Sequence, residues 1–337
     1  MILVTGGTGF LGAHLLYHIT SSGKAVKAIK REQSSLQLVH KVFSFYDKTP
    51  ESLLSKIEWV TADVLDIYSL RDAFKGATQV YHTAAMVSFE PKTRQMMFKT
   101  NVSGTANVVN MALEQNIEKL CHVSSIAALG RTSGGKPVTE KTHFSSSVKP
   151  SAYSISKFES EREVWRGIHE GLNAVIVNPS VILGPGDWNT GSSKLFQTVY
   201  NGLKFYTKGA TGFVDVNDVA KAMVLLMESN LWGEQFIINS ENVTWQQIFT
   251  WMAEALNVTP PNHKAGAFLS ELYWRISKVQ SLLTGKAALV TRETARTAQQ
   301  VYAYDSQKLL KEINYSYTPV QQSINHAARL FLQEKNK

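Results

Sequence analysis

Short apolar runs recur along the first two-thirds of the chain, and between them lie stretches whose apolar residues return every three or four positions. The runs Ile2–Thr5, Val26–Ile29, Ile57–Thr61, Gln79–His82, Lys119–Ser124 and Ala174–Asn178 have strand length, and Gln235–Ile238 is a later addition. Helical periodicity fills Leu11–Thr20, Ile67–Phe74, Lys99–Gln115 and Tyr153–Glu170. Strictly alternating strands and helices predict an α/β fold, a doubly wound parallel sheet covered by helices on both faces. The irregular stretch 130–151, with Gly134-Gly135, Pro137 and Ser145-Ser146-Ser147, is long enough that a functional loop or disorder is expected.

The alternation stops after Pro179, and the turn signals Gly184-Pro185-Gly186 and Asn189-Thr190-Gly191 follow. A boundary near residue 180 is expected, with 1–180 forming one domain, 213–240 returning to it, and 181–337 forming a smaller, mostly helical region. Helices are expected there at Ser193–Asn201, Val216–Glu228, Thr244–Leu256, Phe268–Leu283, Arg292–Val301 and Val320–Glu334. Phe268, Leu272, Tyr273, Ile276, Val279 and Leu283 form a single stripe, which reads as a core or lid face rather than a membrane anchor.

The first strand runs directly into Gly6-Gly7-Thr8-Gly9-Phe10-Leu11-Gly12. Glycines at 6, 9 and 12 let the backbone turn, let a pyrophosphate approach it and let the next helix pack closely. The helix N-terminus near Phe10 would hold the phosphates, so a dinucleotide cofactor is expected, with region 181–337 taking mainly the substrate. NAD sites usually end the second strand with an acid for the ribose 2′-hydroxyl, whereas this strand runs into Lys30 and Arg31. A guanidinium fork suits a 2′-phosphate, which favours NADP(H), with NAD(H) left open because Glu32 could stand in as the acid. Asp63-Val64, after the third strand, would either meet the adenine edge or cap the helix beginning at Ile67.

Tyr153 and Lys157 are four residues apart on an expected helix and so share one face. A neighbouring ammonium should lower the phenol pKa and make Tyr153 a usable acid/base, while Lys157 could also bond the nicotinamide ribose. A hydroxyl from Ser124-Ser125, ending the preceding strand, could polarise a substrate carbonyl.

Composition narrows the alternatives. The chain has 337 residues, 44% hydrophobic and 18% charged, with no apolar run of 18 residues to span a bilayer. The strand at Met1 leaves no room for a leader and the single Cys121 excludes an internal disulfide, so a cytoplasmic location and no membrane association are expected. Cys121 reads as a small buried hydrophobe. The net charge of +8 is dispersed, so it points to a phosphate-bearing cofactor or anionic substrate and to no nucleic acid. No metal site is expected.

The chain resembles the extended short-chain dehydrogenase/reductase family (the NAD-dependent epimerase/dehydratase superfamily) over nearly its whole length. The resemblance rests on Thr5 to Gly12, Asp63-Val64, His82-Thr83-Ala84-Ala85, Asn101-Val102-Ser103-Gly104-Thr105, Ser124-Ser125, Tyr153 to Lys157 and Asn178-Pro179. It implies a Rossmann-type fold, Ser125 as the catalytic hydroxyl, Tyr153 as acid/base and Lys157 as its partner. It also implies that Ser124, His82 to Ala85 and Pro179 line the cofactor, and that Met86 to Phe89, the 130–151 loop, Val181, Trp188 and 265–290 shape a partly hydrophobic substrate pocket. Asn101 is either catalytic or a helix-start residue that ties strands together. Helices 99–115 and 153–170 would supply a homodimer interface, as they often do in the family.

Reaction class is narrowed by departures from the family patterns. A sugar-nucleotide dehydratase would place Asp-Glu just after the strand-end hydroxyl, where this chain has Ile126-Ala127. Val177 to Pro185, Phe213 to Ala220 and Thr284-Gly285-Lys286 look like the dihydroflavonol 4-reductase group. The expected activity is therefore NADP(H)-dependent reduction of a ketone or aldehyde on a small substrate. The alternatives are a nucleotide-sugar epimerase and an NADP-binding regulatory protein without turnover.

Overall fold

The structure, a computed structural model, describes residues 1–132, 135–144, 150–266 and 297–336. Its centre is a seven-stranded, all-parallel sheet made of β1 (Ile2–Thr5), β2 (Val26–Lys30), β3 (Ile57–Thr61), β4 (Gln79–His82), β5 (Lys119–Val123), β6 (Ala174–Pro179) and a late strand Glu234–Ile238. The spatial order is late strand, β6, β5, β4, β1, β2, β3. Chain order reverses between β1 and β4, and in open parallel sheets the crevice at such a switch point is where ligands bind.

Side chains alternate across this sheet and create two cores. Ile2, Val4, Val26, Ala28, Cys121, Val175 and Val177 pack under the helices Phe10–Ser21, Gln37–Tyr46 and Val216–Glu228. Leu3, Ile29, Val80, Leu120, Ala174 and Ile176 face the helices Ile67–Phe74, Gly104–Glu114 and Ala152–His169. Cys121 is wholly buried, and burial pushes its thiol up to about 12.

The C-terminal region adds β7 (Val181–Leu183), β8 (Phe205–Tyr206), β9 (Ala210–Asp215), β10 for the late strand Glu234–Ile238, β11 (Glu241–Thr244) and β12 (His263–Lys264). β9 pairs parallel with β7 and antiparallel with β11, while β8 pairs with β12. A third core, with Trp188, Phe196, Phe213, Ile248, Met252, Ile324 and Phe331, joins this small sheet to helices Lys194–Tyr200, Trp245–Ala255 and Val320–Lys335.

Several elements depart from expectation. The helix expected over 99–115 opens as a π-helical turn, Lys99–Ser103, before its α-helical part. Helices Gln37–Tyr46 and Gln307–Ile313 and strands β7, β8, β9, β11 and β12 are additional. Val301, expected at a helix end, instead bridges Ala210. The expected helix Phe268–Leu283, half of Arg292–Val301, most of the 265–290 pocket region and Thr284-Gly285-Lys286 lie outside the described residues. Where described, the 130–151 loop is anchored: Val138 exchanges backbone bonds of 2.8 and 2.9 Å with Ala303 and Asp305, and Glu140 accepts the Ile237 amide at 2.9 Å. Among the described residues no helix is long and apolar enough to cross a membrane.

Candidate active site

The cofactor segments and the strand-end hydroxyls expected at the site leave the carboxyl edge of the central sheet. The glycine turn follows β1, Arg31 follows β2, Asp63 follows β3, Thr83 to Met86 follow β4, Ser124-Ser125 follow β5 and Val181 follows β6. The parallel sheet thereby gathers residues that lie more than a hundred positions apart in the chain.

At the β1 end the turn is made of backbone. Gly6 has φ +72, and a Cβ there would lie 2.6 Å from the Ala84 amide nitrogen. A Cβ on Gly12 would lie 2.2 Å from the Gly6 carbonyl oxygen. The helix Phe10–Ser21 starts at exposed Gly9 with no side-chain cap and no acid in its first turn. Its first N–H groups thus have no side-chain partner, the dipole's positive end lies behind them, and Thr8, Phe10 and Leu11 stand at that helix start. These features fit a dinucleotide pyrophosphate. The turn is held at both sides: Thr5 Oγ1 bonds His82 Nδ1 at 2.7 Å, Thr83 Oγ1 donates to the Thr5 carbonyl at 2.7 Å, and Gly186 packs so closely on the Phe10 ring that a Cβ would come within 2.9 Å.

Arg31 is exposed just past β2, and Lys30 is half-buried. Among the described residues neither forms an ion pair within 4.0 Å, so both cations remain available to an anion. Asp63 does not cap the following helix, because its carboxylate turns back to the Leu65 amide at 2.9 Å. The capping residue is Asp66, which accepts the Tyr68 amide at 3.2 Å. Val64 is buried under Gly104, where a Cβ would lie 2.7 Å from it, and its carbonyl accepts from Asn107. Its side chain is therefore a packing contact.

At the β5 end, the Ser125 hydroxyl accepts the Ala127 amide at 3.1 Å and lies near enough to Tyr153 to act on its phenol. Ser151 caps the Tyr153 helix by accepting the Ser154 amide at 2.9 Å, and Phe89 meets the Tyr153 ring edge-on at 5.6 Å. Lys157, 2% exposed, donates to the Val123 carbonyl at 2.7 Å. This geometry reverses the expectation for the phenol. Burial pushes the Tyr153 hydroxyl above its usual range, with Ser125 opposing, because the Lys157 ammonium is directed at the β5 carbonyl and not at the phenol. Lys157 itself is lowered to about 8, chiefly by burial, with Glu161 opposing.

Ser124 also differs from the cofactor-lining role. It is 3% exposed and its hydroxyl donates to Glu161 at 2.7 Å, away from the opening. Asn101 lies inside the π-helical turn rather than at a helix start. It joins no strands: it pairs with both backbone groups of Met86, at 2.7 and 2.9 Å, and donates to Ser156 at 3.0 Å. Pro179 is buried at the end of β6, and Val181 and Met86 are partly exposed. Trp188 belongs to the third core: it is 4% exposed and its indole donates to Glu334. Among the described residues no cluster of potential metal ligands occurs.

Two buried groups here were assigned no role at the site from the sequence, although Asn178 belongs to the Asn178-Pro179 pair that supports the resemblance. Glu161 extends the Tyr153-Lys157 face by another turn, and Asn178 donates both to Glu161 at 2.9 Å and to the Ser125 carbonyl at 3.1 Å. The spacing of four residues from Lys157 to Glu161 was the available clue.

Residues 2–239 match the NAD dependent epimerase/dehydratase family. The "Putative dihydroflavonol 4-reductase" of Synechocystis is 28% identical over 97% of this chain and 93% of that protein. "Sterol demethylase protein B" of Methylococcus capsulatus is 31% identical over 75% of this chain and 73% of its own length. The crystal structure of gox2253 superimposes with a TM-score of 0.81 at 30% identity, covering 99% of this chain and 98% of that one. On fold, site arrangement and these matches together, the chain belongs to the NAD dependent epimerase/dehydratase family of NAD(P)-dependent enzymes.

Proposed function

We propose that this protein is an NADP(H)-dependent oxidoreductase that reduces a ketone or aldehyde of a small, partly hydrophobic substrate, with Ser125, Tyr153 and Lys157 as its catalytic group. The observation that carries this reading is that Ser125, Tyr153 and the buried Lys157 come together after β5, at the same sheet edge as an uncapped glycine turn. The bound dinucleotide supplies the hydride. Tyr153 is held neutral by burial and is therefore a proton donor to the developing alkoxide, while Ser125 positions the carbonyl oxygen. Lys157, one turn further along the tyrosine helix, would bond the nicotinamide ribose and bring its positive charge to the site.

Arg31 supports NADP(H), since it is exposed, has no carboxylate partner among the described residues and follows β2, the strand whose end usually carries the ribose 2′-reading residue in dinucleotide folds. Ile126-Ala127 after Ser125 supplies none of the carboxylates a dehydratase would use there. The names of the two relatives, a dihydroflavonol reductase and a sterol demethylase, support a hydrophobic ring-bearing substrate. The test is titration of purified protein with NADPH and NADH, then turnover of aromatic and aliphatic ketones and aldehydes. NADPH preference with net oxidation is expected. Tightly retained NAD without net turnover would overturn the proposal in favour of a nucleotide-sugar epimerase, and binding without any turnover would favour a regulatory protein.

A further inference from the structure

Among the described residues Glu161 is the one carboxylate buried against the catalytic group, and nothing in the three-residue reading of the site uses it. It is 6% exposed. Its Oε2 accepts the Ser124 hydroxyl at 2.7 Å and the Asn178 amide at 2.9 Å, and its Oε1 accepts the Trp165 indole at 3.4 Å. Asn178 passes the connection on, donating to the Ser125 carbonyl at 3.1 Å. Lys157 lies one helical turn before Glu161 and ends on the Val123 carbonyl, while Glu161 ends on the adjoining Ser124. The ammonium and the carboxylate thus end on consecutive residues of one strand end, both out of water.

From this juxtaposition we infer that Glu161 is a positioning residue, whose charge keeps Lys157 protonated and whose hydrogen bonds fix Ser125 against the Tyr153 helix. The inference rests on the oxidoreductase reading for its consequence in turnover, though not for its electrostatics. A buried ammonium with a carbonyl as its hydrogen-bond partner loses its hydration shell and gains only a partial charge in return. The other titratable groups facing Lys157 cannot compensate it. His82 on β4 and His122 on β5 are buried and held neutral, and Tyr153 is a neutral phenol on its own helix. Glu161 alone supplies the opposite sign, and it opposes the burial that draws Lys157 down to about 8. The same carboxylate is raised by burial and lowered by Ser124, Asn178, Trp165 and Lys157, so its ionised form is what those donors stabilise.

Glu161→Gln separates charge from shape, because the amide oxygen still accepts from Ser124 and Asn178. Carbonyl reduction by wild type should fall as pH rises through about 8, and in Glu161→Gln that limb should move down by about one pH unit or more, as loss of an opposite charge at close range requires. At pH 8 the variant should lose roughly fivefold or more in kcat, recovering toward wild type near pH 6, with KM little changed. Ser124→Ala, which removes one hydrogen bond and no charge, should leave the limb in place. A second readout avoids turnover: the 13Cε resonance of Lys157 in lysine-labelled protein, assigned by its loss in Lys157→Met, should titrate at lower pH in Glu161→Gln. An unmoved Lys157 titration in a folded Glu161→Gln protein would overturn the inference. A moved titration in a protein that reduces no carbonyl would uphold it while defeating the oxidoreductase reading.

Discussion

The two ends of the cleft are made of different materials. At the β1 end the chain presents backbone: Gly6, Gly9 and Gly12 leave helix N–H groups open, and no carboxylate stands in the first helical turn. At the β5 end it presents side chains, among them a buried lysine and a buried glutamate within one helical turn. A backbone anion site has no titratable group of its own, so pH leaves it alone, whereas any added Cβ damages it. The chemistry end tolerates modest changes of shape but depends on which groups hold protons. Binding and turnover should therefore separate cleanly under mutation.

The sharpest test of that separation is Tyr153→Phe, which removes the donor hydroxyl and little else. Reduction should fall by about 10²–10⁴-fold, the usual worth of a general acid, while calorimetric NADPH affinity stays as in wild type. Gly12→Ala is the opposite probe. Its Cβ would press within 2.2 Å of the Gly6 carbonyl, so the turn must move, and NADPH affinity should fall by roughly 100-fold with a lowered Tm. Arg31→Ala should cost NADPH about 10–100-fold in affinity, the range of a charge-assisted bond, and leave NADH binding unchanged. An equal loss for both cofactors would remove the argument for NADP(H).

The smallest effect is pH. Lys157 gives up its proton as pH rises through about 8, so reduction should decline severalfold between pH 8 and 9 while NADPH affinity stays level. That decline cannot be loss of fold through this residue. The unfolded lysine keeps its proton to the ordinary lysine range, so between about 8 and that range the unfolded chain binds more protons and Lys157 contributes stability that increases with pH. A Tm that fell together with activity across this window would assign the limb to another group.

The central sheet was legible because each strand is short, apolar and bounded by turn residues, and its seven strands fall within a residue of the expected bounds. β9 and β11 were not, since Ala210-Thr211-Gly212 and Glu241-Asn242 carry no apolar alternation. Gly212 is required instead by a contact from elsewhere, for a Cβ there would lie 2.1 Å from Asn239 Oδ1. The glycine turn and the Tyr153-Lys157 spacing are local patterns, set by residues within a few positions of one another, and the sequence determined them unaided. Tertiary structure alone decided where each side chain points: Ser124 to Glu161 rather than to the opening, Asp63 to its own loop, Trp188 into the third core, and Lys157 to the Val123 carbonyl. Those choices follow from burial. A polar group taken out of water must find a partner, and in this fold the partners come from strands and helices dozens of residues away, which no local spacing encodes.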